Sequence, residues 1–133
     1  MYKRQSYSYS KSQTKLLKIF EKHLDKIFKD HFKQSYTLTD IWYQVYAKHS
    51  RSFHGFHDHK NEKTHVSAIF YIKLRNKELL TQFLYDGSVI TPDAQEGDII
   101  FFDSSIFHAS PPNYTDDDKI ILSFNFDLKN HES

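Results

Sequence analysis

Lys119-Ile120-Ile121-Leu122-Ser123-Phe124-Asn125-Phe126-Asp127-Leu128 alternates from end to end. Ile120, Leu122, Phe124, Phe126 and Leu128 fall on one face of an extended chain, and Lys119, Ile121, Ser123, Asn125 and Asp127 on the other. A strand of this kind gives one face to a core. Its half-polar face is either wet or turned inward to line a site. The same period recurs upstream. Residues 38–46 set Trp42, Gln44 and Tyr46 against Ile41, Tyr43 and Val45, and residues 64–74 set Val66, Ala68, Phe70 and Ile72 against Ser67, Ile69 and Tyr71. Shorter strands are expected at 79–85, 89–91 and 99–102. Asp86-Gly87 and Glu96-Gly97-Asp98 serve as turns, and Pro92 stops a ladder that it cannot donate to. Many short strands with frequent turns imply an antiparallel barrel or sandwich, with the polar faces at its mouth.

Ahead of the strands the period is helical. Leu17, Phe20, Leu24, Ile27, Phe28 and Phe32 recur at intervals of three and four, with Lys18, Lys22, Lys26, Lys29 and Lys33 between them. Ser10 with Gln13 forms a capping box, Ser12 is an alternative cap, and the helix should end near Ser35. Its apolar stripe is suited to covering the outside of a sheet. Residues 1–9, alternating Tyr and Ser, read as a loosely docked arm. The expected division is an arm and covering helix over 1–35 and a core over 36–133, together one domain of 133 residues.

Residues 1–35 carry nine Lys/Arg against three Asp/Glu, and the remainder nine against fourteen. That asymmetry fits a solvated helix face beside an acidic body; no nucleic-acid motif accompanies it. With no Cys, thiolate catalysis and Cys-ligated zinc are excluded, and a cytoplasmic setting is the simpler expectation. No apolar run has the length of a membrane span. Serine, cysteine and P-loop chemistries lack their motifs.

The chemistry-bearing stretch is Phe56-His57-Asp58-His59. In an extended segment His57 and His59 point to one side and Asp58 to the other, and imidazole is the commonest metal-ligating side chain. A third ligand would come from a neighbouring strand. His108 is so placed, in or just after a short piece that ends at Pro111-Pro112. Nine His in the chain make two close ones unremarkable by themselves.

The run from Trp42 through His57-Asp58-His59, residues 67–71, Glu96-Gly97-Asp98, residues 99–102, His108 and Lys119 to Ser123-Phe124-Asn125 resembles the iron(II)/2-oxoglutarate-dependent dioxygenases. It is most similar to the compact oxygenases of phages and bacteria. The resemblance implies a double-stranded β-helix, or jelly roll, with Fe(II) near its open end and 2-oxoglutarate as cosubstrate. His57 and His108 match the two His of the family's facial triad, and His59 stands where most members have a carboxylate; Asp58 is the alternative second ligand. Lys119 matches the basic residue that holds the distal carboxylate of 2-oxoglutarate, although Arg is more usual. Tyr71 matches a Tyr that assists it, and Asn125 and Gln44 are candidates for lining the pocket. Ile121 replaces a Ser that supports the carboxylate in many members. The implied activity is hydroxylation of an unknown substrate: a protein, a nucleotide or a small metabolite. The alternatives are a catalytically degenerate jelly-roll module and a cupin-like enzyme with three His ligands, and a homo-oligomer paired through a sheet edge is open to either.

Overall fold

The computed structural model describes residues 3–6, 22–33, 35–59 and 65–128. Two antiparallel sheets face each other. The larger has the order β1-β2-β9-β4-β7, from Lys3–Ser6, Tyr36–Tyr46, Lys119–Leu128, Val66–Lys73 and Ile99–Asp103. The smaller has the order β3-β8-β5-β6, from His54–His57, His108–Ser110, Gln82–Tyr85 and Ser88–Ile90. Successive strands from β2 onward divide between the two sheets, and the result is a jelly roll.

Register explains how the alternating sequences divide the molecule. Ile41 lies opposite Phe124 and Tyr43 opposite Leu122, while Val66 and Ala68 lie opposite Phe126 and Phe124. These side chains form the outer face of the larger sheet. The helix covers it: residues 22–27 run into a π-helical turn, Phe28–Phe32, that ends at Lys33 in a left-handed conformation (φ 53°). Leu24 and Phe28 are buried against Ile41, Val66, Ala68, Leu122, Phe124 and Phe126. The Phe28 ring stacks on Tyr36 at 4.2 Å and meets Phe126 at 4.9 Å. The helical stripe from Leu24 to Phe32 therefore covers a sheet as its period requires, whereas its expected beginning over 10–21 lies outside the described residues.

The opposite faces of the same strands turn inward. Trp42 pairs with Ser123, Gln44 with Ile121, Tyr46 with Lys119, and Ser67 with Asn125. This inner face is partly apolar, around Tyr46, Ile69, Tyr71, Leu79, Leu80 and Ile121, and partly polar near the histidines. Two expectations change. Residues 3–6 of the supposed arm pair with β2 as an edge strand. The strand expected over 79–85 begins only at Gln82, because Asn76 caps a 3-10 turn, Lys77–Leu79, by accepting from the Glu78 N–H at 3.0 Å. No helix among the described residues is long and apolar enough to cross a membrane.

Candidate metal centre

The smaller sheet brings the histidines together. β3 runs antiparallel to β8 with His57 opposite His108. His59 lies just beyond β3, where its N–H donates to the Ser104 carbonyl at 2.9 Å and its ring stacks on Trp42 at 5.3 Å with 7° between planes. One ring nitrogen from each of His57, His59 and His108 lies within 4.8 Å of the other two. A cation bonded at about 2.1 Å to each requires nitrogens about 3–3.5 Å apart, so a ring movement of about 1–2 Å closes the set. Asp58 is exposed and stands outside the cluster.

Hydrogen bonding orients two of the rings. His57 Nδ1 is 2.7 Å from the Gly55 carbonyl, and His108 Nδ1 is 3.1 Å from the Ile106 carbonyl. A carbonyl accepts only, so each Nδ1 carries the proton and each Nε2 the lone pair that a metal takes. Burial holds His108 neutral. Its pKa falls to about 3 because desolvation opposes the charged form and the neighbouring imidazoles add to the effect. Phe102 packs edge-on against the His108 ring at 4.8 Å.

One strand repeat along β8 from His108, about 7 Å, Ser110 marks a second polar point. Lys119 is fully buried, its Nζ donates to Ser110 Oγ at 2.7 Å, and the ammonium sits 5.0 Å from the centre of the Tyr46 ring. No carboxylate among the described residues pairs with it. Burial lowers its pKa to about 7. Between the histidines and Ser110 lies a narrow cleft, lined in part by Trp42, Gln44, Tyr46, Ser67, Ile121 and Ser123, with Lys119 behind Ser110 and Tyr46.

The remaining sequence candidates are already engaged. Tyr71 donates its hydroxyl to Thr81 Oγ1 at 2.7 Å, and burial raises its pKa. Asn125 accepts from Ser67 Oγ at 2.7 Å and donates to Asp40 at 3.2 Å, although it also lines the cleft. His54 was not foreseen as part of the site. Its ring stacks on that of His57 at 3.7 Å with 13° between planes, and it also lines the cleft. Three residues of extended chain put His54 and His57 on opposite faces. Here Gly55 and Phe56 together oppose Ala109 alone, and this bulge returns His54 to the face of His57. A glycine between two strand histidines was the available signal.

No family model matches the chain, and no curated protein matches it by sequence. Solved structures do. AviO1 from Streptomyces viridochromogenes Tue57 superposes with a TM-score of 0.77 at 10% identity, over 98% of this chain and 68% of its own. An oxidoreductase of the 2OG-Fe(II) oxygenase family from Burkholderia pseudomallei gives 0.74 at 15%, over 95% and 65%. A prolyl-4-hydroxylase from Pseudomonas putida gives 0.64 at 14%, over 95% and 67%.

The chain has the 2-oxoglutarate, iron(II) oxygenase fold.

It spans 65% of the length of the Burkholderia protein and 35% of another neighbour, EvdMO1.

Proposed function

We propose that the chain is an iron(II)- and 2-oxoglutarate-dependent oxygenase that hydroxylates a still unassigned substrate. The observation that carries the proposal is the pairing of the His57, His59 and His108 cluster with the buried, carboxylate-free Lys119 ammonium one strand repeat away. A 2-oxo diacid has a chelating head and a distant carboxylate, and these two groups match the two ends of the cleft. Iron(II) with 2-oxoglutarate, when bound, supplies oxidative decarboxylation coupled to hydroxylation of a C–H bond by dioxygen.

In this reading the three imidazoles of His57, His59 and His108 would hold the cation, whose remaining positions would take the cosubstrate. Trp42 fixes the His59 ring, and Phe102 shields His108 from water. Lys119, aimed by Ser110, takes the distal carboxylate in a charge-assisted hydrogen bond. Asn125 lines the cosubstrate pocket, held by its own hydrogen bonds, and Tyr71 stands behind the lining, its hydroxyl bonded to the lining residue Thr81.

Anaerobic addition of iron(II) and then 2-oxoglutarate to the purified protein is the test. A visible charge-transfer band that needs both, followed by 2-oxoglutarate-dependent oxygen uptake with formation of succinate, is the expected result. A protein that binds metal but has no affinity for 2-oxoglutarate would instead support a three-His, cupin-like or catalytically degenerate module. That second reading is favoured by the cluster's having no carboxylate among the described residues and by the apolar Ile121 on the inner face.

A further inference from the structure

His54 lies outside the three-nitrogen cluster, yet its ring is nearer to that of His57 than either His59 or His108 is. Its plane is 13° from that of His57 at a centroid separation of 3.7 Å, against 4.2 Å between His57 and His108 and 4.9 Å between His57 and His59. His54 is itself held from behind. Gln44 Oε1 accepts from Ser123 Oγ at 3.4 Å, which turns the Gln44 amide N–H₂ toward His54 Nδ1, also at 3.4 Å. The bulge that returns His54 to the inner face also includes Gly55, whose carbonyl receives the His57 Nδ1 proton at 2.7 Å.

Two independent constraints therefore converge on one ring. A hydrogen bond in the ring plane sets the rotation and tautomer of His57, and a stacked face blocks its swing across the cleft. We infer that His54 is a positioning residue for the metal centre: with the Gly55 carbonyl it forms a clamp that holds His57 with Nε2 aimed at the cation, without itself ligating. The inference rests on the metal-site reading above and deepens it. A preset ligand loses less freedom when the cation arrives, and supports of this kind are typically worth 10–100-fold in metal affinity. A clamp on one ligand matters most in a cluster whose members among the described residues are all imidazoles, with no carboxylate among them to add long-range attraction.

The test compares wild type, His54→Ala and His54→Phe in two measurements. The first is cobalt(II) affinity, read from the visible spectrum of the bound ion. His54→Ala should weaken it on the order of tenfold or more, and His54→Phe, which keeps a flat ring but has no nitrogen to offer, should return most of it. The second uses the metal-free protein. Ring-nitrogen chemical shifts should show His57 as a single Nδ1–H tautomer in wild type and in His54→Phe, and as a mixture in His54→Ala. Equal cobalt affinity in wild type and His54→Ala, or a single tautomer in all three, overturns the clamp. Failure of His54→Phe to recover affinity also overturns it and makes His54 a ligand. Wild-type protein that takes up no cobalt would instead refute the metal site itself, while the tautomer measurement would still decide the clamp.

Discussion

Replacing Lys119 by Met should move stability and cosubstrate binding in opposite directions. The side chain is fully buried, and burial alone draws its pKa from 10.5 to about 7. At about 1.4 kcal/mol per unit, the charge costs the metal-free fold on the order of 5 kcal/mol. Met fills similar space without the charge. It gives up the hydrogen bond to Ser110 Oγ and the contact over Tyr46, together about 3 kcal/mol. Metal-free Lys119→Met at pH 7 should thus be about 2 kcal/mol more stable than wild type, visible in urea unfolding as a higher midpoint at unchanged slope. The pH dependence follows from proton counting. Between pH 7 and 10.5 the unfolded chain holds a proton on Lys119 that the folded chain has released, so wild type gains stability as pH rises. The advantage of the variant is constant below pH 7 and shrinks by about 1.4 kcal/mol per unit above it. Affinity for 2-oxoglutarate in the presence of metal should fall by 30-fold or more, the cost of truncating one partner of a buried charge pair, about 2–5 kcal/mol. A variant less stable than wild type at pH 7, by a margin independent of pH, would refute the reasoning.

Other substitutions probe the remaining parts. His59→Ala should weaken cobalt(II) or zinc(II) binding by at least tenfold in calorimetric titration, whereas Asp58→Ala should leave it unchanged, because that carboxylate is exposed and outside the cluster. Asn113→Ala should destabilise the fold by about 2–4 kcal/mol in urea unfolding. The fully buried Asn113 amide donates to the carbonyls of Tyr46 and Asp117 and accepts twice from Thr115, tying the end of β2 to the approach to β9. Phe28→Ala should cost about 3–5 kcal/mol by opening a cavity beneath the helix, with metal binding at saturating cobalt preserved.

The long strands were legible because each has one purely apolar face. In β9 a shift of one residue would turn Lys119, Ser123 and Asp127 toward the helix-covered face and crowd Phe124 and Phe126 into the polar inner face, so period and register are fixed together. The clustering of the histidines was legible in part for a related reason: i and i+2 share a face, which sets His57 and His59 together, while the pairing of β3 with β8 adds His108. What the sequence hid depends on local departures from regular geometry. His54 reaches the site only through the bulge at Gly55 and Phe56, and the 3-10 turn at Lys77–Leu79 depends on one side-chain cap at Asn76. The pairing of Lys3–Ser6 with β2 is set by an available sheet edge, and nothing in the alternation of Tyr and Ser along residues 1–9 encodes it.

The charge of the site links its two ends. Three imidazoles contribute no negative charge, and among the described residues the only charged group buried on the inner face is an ammonium. A carboxylate in the cluster would offset a divalent cation locally; here the compensation has to come from an anion that enters with the metal. A dianionic 2-oxo acid can meet both demands, one carboxylate at the cation and the other at Lys119, so each of the two should bind more tightly in the presence of the other. Among the described residues no carboxylate balances Lys119; Ser110 and the Tyr46 face hold it in place, at a cost to stability that an apolar side chain would avoid.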